Sequence, residues 1–561
     1  MAGKRILIAQ MTRMGDVLQT SPLVRALKQR NPDAHITAMV RRMGKAIAEC
    51  NSDIDDIVVY DEDEMYLDLK SEDADRLLKA YDETEAYVRR LKEGRFDIAY
   101  NCTHSLCSAM LFKLAGIPEV VGAHLSDDWR YVWRGRGPNY FITSVLHREA
   151  NDLNICDSFR HFMEGPPGTH GLVMEIDDKA RAEASAVLSR HGIGDREFVV
   201  CFQLGASDRD KRWQEERFAQ LAKSLVDRYN ARIVLLGVEA EAPLGAAFER
   251  YAQGVALHLF GKTNIAQVAA ILERARVLVT NDTGTMHIAA AVRCPIVLLS
   301  VGYVHFRETG PYGEGHCAIE VRRNEAGRSD IRGRDAASAQ GILPGHAMRA
   351  VELVLAENKD AIPALEDDDQ LANVDMHWSR FAPDGCLQWY PLVRRAASEA
   401  DVVRMAYRPM WLEYFEGKSN VKGQTESMKR IAERYLPIED PSFWQTARES
   451  LEGLAELSDR GGATTRDLLS VLKGKGPMRS AHGLVRGLMA LDEDIRVYAE
   501  LNRACKPLVA IARFERDNLE GAEPLALAET TRKIYEHLSE RARATAGKLE
   551  LVRAALERTA N

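Results

Sequence analysis

The chain has 561 residues, 46% hydrophobic and 28% charged, enough for about three to four domain-sized cores. Seventy-five Lys and Arg against 83 Asp and Glu leave a net charge of −8, which argues against a broad nucleic-acid footprint but permits a local basic pocket for a small phosphorylated ligand. Nine scattered cysteines fit free thiols in a reducing cytosol, and no apolar run has the length of a membrane span or a signal peptide's core.

In chain order, RILIAQ (5–10) reads as a strand, followed by a helix over 17–30 and strands at HITAMV (35–40) and DIVVYD (56–61). An acidic lead, DEDE (61–64), forms a solvated face before a charged amphipathic helix over 65–94; IAYN (98–101) and VVGA (120–123) complete a first series of strands. A second series follows at 198–203, 232–237, 256–260, 277–281 and 295–300, with helices over 215–229 and 265–274 between strands. Near-continuous apolar strands alternating with helices indicate parallel sheets covered on both faces. Two such series joined through EGPPGTHG (164–171) predict an α/β chain of two doubly wound domains facing each other across a cleft. Beyond Gly345 the strand pattern fades and helical spacing takes over. The expected divisions are 1–168, 169–345, a linker or wrap over 346–390, and a helical accessory domain over 391–561.

Three segments carry chemistry. In MTRMGDVLQTSP (11–22), Gly15 permits a tight strand-to-helix turn and Asp16 sits near the helix start. Asp16 reads equally as a helix cap or as a carboxylate facing the ligand crevice at the strand's carboxyl end. In VLVTNDTGTMHIAAAVRCPIVLL (277–299), a buried strand ends in the polar turn Asp282, Thr283, Gly284, Thr285 and opens a helix over 286–292. The helix's free N–H groups and positive dipole end suit a diphosphate, with His287 a donor one turn in or simply a buried histidine. In FQLGASDRDKRWQEERFAQL (202–221), Lys211 and Arg212 could neutralise a leaving diphosphate. The Asp-x-Asp at 208–210 and the Cys102, His104, Cys107 cluster read better as loop residues than as metal ligands, so no metal site is assigned. Between the two series, WRYVWRGR (129–136) interleaves Arg130, Arg134 and Arg136 with aromatics; it fits either an anionic, sugar-rich acceptor or an anchored surface loop.

Together these segments resemble glycosyltransferase family 9, the lipopolysaccharide heptosyltransferases. The resemblance rests on MGDVLQTSPLVRALKQRNPDAHITAMV, LNICDSF (153–159), LGAS…KRW, LLGVEAE and TNDTGTMHIAAAVRCPIVLLSVG in the same order, and it covers roughly 4–345. It implies a GT-B fold and an inverting, metal-independent transfer from a nucleotide sugar, with ADP-heptose as donor. It also implies Asp16 as general base, with Lys211 acting catalytically on the leaving phosphate. Asp282, Thr283, Gly284, Thr285 and His287 become donor ligands, and Glu241 bonds the ribose, with Glu239 a close competitor. Arg13, Arg130, Arg134 and Arg136 are the acceptor-side candidates. No cofactor is expected. The partners are a nucleotide-sugar donor and a glycan or glycolipid acceptor on a lipopolysaccharide core or related glycan, with no nucleic acid. The expected location is cytoplasmic, extending to peripheral contact with the inner membrane's cytoplasmic face. The Leu204-Gly205-Ala206 step and the 216-residue tail depart from the family pattern. The rival readings are a nucleotide-sugar epimerase or hydrolase on the same scaffold, and a non-catalytic nucleotide-sugar-binding scaffold.

Overall fold

A computed structural model describes residues 3–60, 62–165, 171–322, 340–356, 361–417 and 420–558. The Gly/Pro-rich joint at 166–170 and the acidic side chains at 61–64 lie outside the described residues.

The first unit is a six-stranded sheet in the order β3-β2-β1-β4-β5-β6, formed by β1 (Arg5–Gln10), β2 (His35–Val40), β3 (Asp56–Val59), β4 (Ile98–Asn101), β5 (Val120–Leu125) and β6 (Tyr131–Arg134). The first five run parallel and β6 pairs antiparallel with β5. Ile6 and Ile8 pack into one apolar layer and Leu7 and Ala9 into the other, as the two-residue strand period requires of a sheet buried on both faces. The helix expected over 17–30 is two, α1 (Met14–Gln19) and α2 (Ser21–Arg30), divided at Thr20 where Pro22 opens the second. The charged stretch over 65–94 likewise divides into α3 (Glu62–Leu69) and α4 (Ala74–Glu93), the latter capped by the Asp73 carboxylate. The helix α5 (Ile155–Arg160) closes the unit.

The second sheet has the order β14-β13-β12-β11-β10-β7-β8-β9. Its parallel part is β7 (Val199–Gln203), β8 (Arg232–Leu236), β9 (Ala256–His258), β10 (Val277–Thr280), β11 (Ile296–Ser300) and β12 (Cys317–Val321). The helices α6 (Glu215–Tyr229), α7 (Ile265–Arg274) and α8 (Gly284–Ala291) follow β7, β9 and β10. The stretch 346–390 is not the linker expected from sequence. It carries most of α9 (Pro344–Leu355) and two antiparallel strands, β13 (Val374–Phe381) and β14 (Leu387–Pro391), which extend this sheet. Ser379 lies in β13 with no exposed surface, and its hydroxyl accepts from the His316 N–H at 2.9 Å.

In both sheets the first strand lies between the second and the fourth, giving the doubly wound order 3-2-1-4-5 twice. Chain direction reverses its winding between β1 and β4 and between β7 and β10, and crevices at those switch points bind ligands in such folds.

The remaining chain is helical, including α10 (Glu399–Glu416), α11 (Ser442–Ser470), α12 (Lys506–Asp517) and α13 (Pro524–Arg558). Sequence patterning suggests a separable accessory domain, but its core is continuous with the rest: Tyr140 and Leu153 of the first unit, and Cys386 and Tyr390 beside β14, share one apolar cluster with these helices. At its centre Arg408 is 2% exposed. Its guanidinium donates to both Asp384 oxygens (2.7 and 2.9 Å) and to the carbonyls of Asp152, Leu387 and Cys386 (3.0–3.1 Å). All five N–H donors are satisfied. Replacement by Ala would strand the buried Asp384 carboxylate, so Arg408→Ala is expected to lower stability by about 3–5 kcal/mol, read from urea unfolding of the full chain. A loss below about 1 kcal/mol would mean that Arg408 does not hold the three pieces together.

Candidate active site

The loops leaving β1, β7 and β10 meet in one crevice. After β1 the chain turns directly into α1, whose third residue is Asp16. One carboxylate oxygen of Asp16 accepts the backbone N–H of Arg13 at 3.0 Å, the return bond that caps a helix. The same oxygen lies 2.7 Å from the Thr12 hydroxyl, which sits 2.7 Å from the Gln10 amide oxygen as well and can donate to only one of the two. The capping role weighed from sequence is therefore real. The other Asp16 oxygen makes no hydrogen bond among the described residues.

Across the crevice, Thr283 stands at the N-cap of α8 with its side chain making no capping bond. The first N–H groups of α8 thus receive no capping bond from Thr283 and stand in the field of the helix's positive end. The two helix starts approach through glycines. A Cβ on Gly15 would meet the His287 ring at 2.7 Å, and one on Gly284 would meet the Met14 side chain at 2.7 Å. Asp16 and His287 are thereby neighbours, one from each sheet unit. His287 is 6% exposed, its Nδ1 has no hydrogen-bond partner among the described residues, and burial lowers its pKa against the opposing pull of Asp282 and Asp16. A neutral imidazole results at pH 7, able to offer one N–H.

Lys211 reaches the same place from the loop after β7. Its Nζ is 3.2 Å from Asp282 and 4.6 Å from the centre of the Tyr303 ring. The Tyr303 hydroxyl donates to Asp208 at 3.0 Å, and Asp208 also receives the Asp210 N–H at 3.1 Å. The Asp-x-Asp step therefore closes a short turn. Among the described residues no group of three or more His, Cys, Asp or Glu is placed to hold a metal ion. Burial pushes the Cys102 thiol up, away from the thiolate a metal would need, while His104 stays exposed.

Of the two acidic residues in LLGVEAE, Glu239 is exposed and Glu241 turns inward. Its carboxylate accepts from the Gln203 amide at 2.9 Å and the Val238 N–H at 3.1 Å, leaving one oxygen free of bonds among the described residues. It presses against Gly205, where any Cβ would collide with it, which accounts for glycine in the Leu204-Gly205-Ala206 step. Gln203 also accepts from the Thr285 hydroxyl at 3.3 Å, tying Glu241 to α8.

Two residues that sequence reading missed organise this crevice. Gln203 is one; Asn281 is the other, fully buried at the end of β10. Asn281 accepts the Trp213 N–H at 2.9 Å and donates to the Leu204 and Gly205 carbonyls at 2.8 and 3.3 Å. A polar residue closing each of two apolar strands was the available signal.

The acceptor candidates fare differently. Arg13 is exposed at the crevice and close enough to act electrostatically on Tyr303. Arg130, Arg134 and Arg136 are drawn to the helical region. Arg130 donates to the Leu519 carbonyl at 2.7 Å, Arg134 pairs with Glu520 at 3.1 Å, and Arg136 donates to the Tyr414 carbonyl at 3.2 Å. WRYVWRGR is not a loop either: its centre is β6, where the Trp133 backbone N–H donates to the Asn518 side chain at 2.9 Å.

Residues 85–332 match the model of glycosyltransferase family 9 (heptosyltransferase). Lipopolysaccharide heptosyltransferase 2 of Escherichia coli K12 is 24% identical over 311 residues, 53% of this chain and 82% of that protein. Lipopolysaccharide heptosyltransferase 3 of the same strain is 23% identical over 362 residues, 60% of this chain and 97% of that protein. Among solved structures, the glycosyl transferase family 9 protein of Veillonella parvula DSM 2008 superposes with a TM-score of 0.51 at 22% identity, covering 63% of this chain and 97% of that one. The likeness supports the GT-B arrangement of two Rossmann-like units.

The contact between the helix starts yields a test. Gly15→Ala should push on the His287 ring and cost about 1–3 kcal/mol in thermal or urea unfolding, without loss of the fold. Unchanged stability would show that the two units can separate there at no cost.

Proposed function

We propose that this chain, which carries a glycosyltransferase family 9 domain and is a glycosyltransferase, moves a heptose from ADP-heptose to a lipopolysaccharide-core or related glycan acceptor, inverting the anomeric centre without a metal ion. The observation that carries the reading is the contact of Gly15 with His287, which brings a carboxylate of one unit to the open helix start of the other. The heptose and the lipopolysaccharide-type acceptor come from the names of the relatives, and the adenine of the donor from the family resemblance.

In this reading the unbonded Asp16 oxygen takes the proton of the acceptor hydroxyl as that oxygen attacks the anomeric carbon. The bond from that carbon to the diphosphate breaks, and its electron pair leaves with the nucleotide. The N–H groups of Gly284 and Thr285, the positive end of α8 and the neutral His287 ring receive the phosphate charge. Lys211, released in part from Asp282, supplies the full positive charge that a metal ion supplies elsewhere. Glu241, fixed by Gln203 and Val238, offers its second oxygen to the ribose hydroxyls. In this reading the work is done outside the bulk of the helical region, in the cytoplasm. No helix among the described residues is long and apolar enough to cross a membrane.

Asp16→Asn keeps the shape and much of the cap but removes the basic oxygen. Single-turnover transfer should fall about 10²–10⁴-fold with ADP affinity nearly unchanged. Lys211→Ala should instead weaken ADP binding and slow turnover together. Near-normal transfer by Asp16→Asn would return Asp16 to capping alone.

The donor is tested separately by thermal shift. ADP at 100 times its dissociation constant should add about 2.7 kcal/mol of stability, with or without chelator. A preference for UDP, or loss of ADP binding in chelator, overturns the donor assignment. Release of free sugar without acceptor would mark a hydrolase.

A further inference from the structure

A groove of about 1670 Å³ runs from the crevice between the second sheet and the helical region. Its walls come from all three parts of the chain: 145–151 of the first unit, 303–322 and 375–404 beside the second sheet, and 435–440 with 496–517 of the helices. Tyr303 lines it, with its ring against Lys211, so groove and crevice share a wall there.

We infer that this groove, walled on one side by the helical region, binds an acceptor oligosaccharide of several sugar units and presents its end to the crevice; the inference rests on the glycosyltransferase reading. Size is the first reason. The groove exceeds the roughly 300–1,000 Å³ of pockets for single small molecules. Charge is the second. Ten acidic and nine basic side chains line it, so it has no net field to hold a polyphosphate or a nucleic acid. Most of those charges are already paired across the wall, as in Arg148 with Glu308 at 3.4 Å and Lys506 with Glu500 at 2.8 Å. Such pairs set donors and acceptors side by side, and a sugar hydroxyl uses both. Apolar surface between them, including the half-buried rings of Tyr303 and Phe514, suits the C–H faces of pyranose rings. Arg503 is exposed on the helical side and has no partner among the described residues, leaving one cation for an acidic sugar.

The family match ends at residue 332 and so omits the helical wall altogether. An acceptor longer or differently branched than that of a two-unit relative follows from the extra wall.

The test uses the full chain and two substitutions remote from the crevice. Ala510→Trp fills the groove from α12, and Arg503→Glu reverses the exposed cation without touching the core. The probe is a panel of deacylated lipopolysaccharide core oligosaccharides, bound without donor and measured by titration calorimetry. We expect at least tenfold weaker glycan binding in each variant, with ADP affinity unchanged. If any panel member accepts sugar, its KM should rise at least tenfold while kcat holds. Glycan binding lost in both variants supports the groove even where no transfer is seen, which would sink only the heptosyltransferase reading. Wild-type binding and KM in both variants, or no glycan bound by the unaltered chain at millimolar concentration, overturns the inference.

Discussion

A buried carboxylate needs a partner, and in this chain the partners are supplied by remote parts of the sequence. Asp157 has no exposed surface. One oxygen accepts from Arg160 at 2.7 Å and from the Tyr312 hydroxyl at 2.6 Å, while the other accepts the Leu387 N–H at 2.9 Å. A single side chain thereby joins α5 of the first unit, the loop before β12 and the start of β14. Arg408 repeats the device a short way along, joining the first unit and the β13–β14 turn to α10. Desolvated charges are expensive to separate, so these bonds set the relative position of the sheet units and the helices far more firmly than apolar contact alone would.

The crevice depends on that rigidity. Asp16 can neighbour His287 only if the two sheet units hold their spacing, because at the helix starts the His287 ring packs on Gly15 and the Met14 side chain on Gly284. A diphosphate bound as proposed would need the opposite property, open N–H groups, and Thr283 makes no side-chain cap to close them. Rigid scaffold and uncapped donors therefore coexist within a few residues.

Much of this was legible in sequence because the relevant signals are local. The parallel strands are continuous apolar runs, and Asp16, Lys211 and the turn at 282–285 each stand where a strand gives way to a helix. The rest was hidden by distance along the chain. VDMHWSRF carries Asp, His, Ser and Arg, too many polar residues to read as a buried strand, and the partner of its Ser379 hydroxyl lies 63 residues away. Asn281 has partners 68 and 77 residues away, so its clamp leaves no local pattern. The arginines of WRYVWRGR fit either an acceptor grip or an anchored surface loop by sequence, and the Leu519 carbonyl and the Glu520 carboxylate, 389 and 386 residues on, take up two of them. The tail's amphipathic helices announce burial without saying against what.

The reach of Arg408 has a consequence for how the protein is made. Its bond to the Asp152 carbonyl spans 256 residues, and the carboxylates of Asp152 and Asp384 gather around the same guanidinium. At about 5–20 residues per second, the first unit leaves the ribosome tens of seconds before this arginine is synthesised. During that interval Tyr140 and Leu153 have no helical region to cover them, so the nascent first unit waits with an open seam. The order of synthesis thus makes the last third of the chain the closing piece of the first.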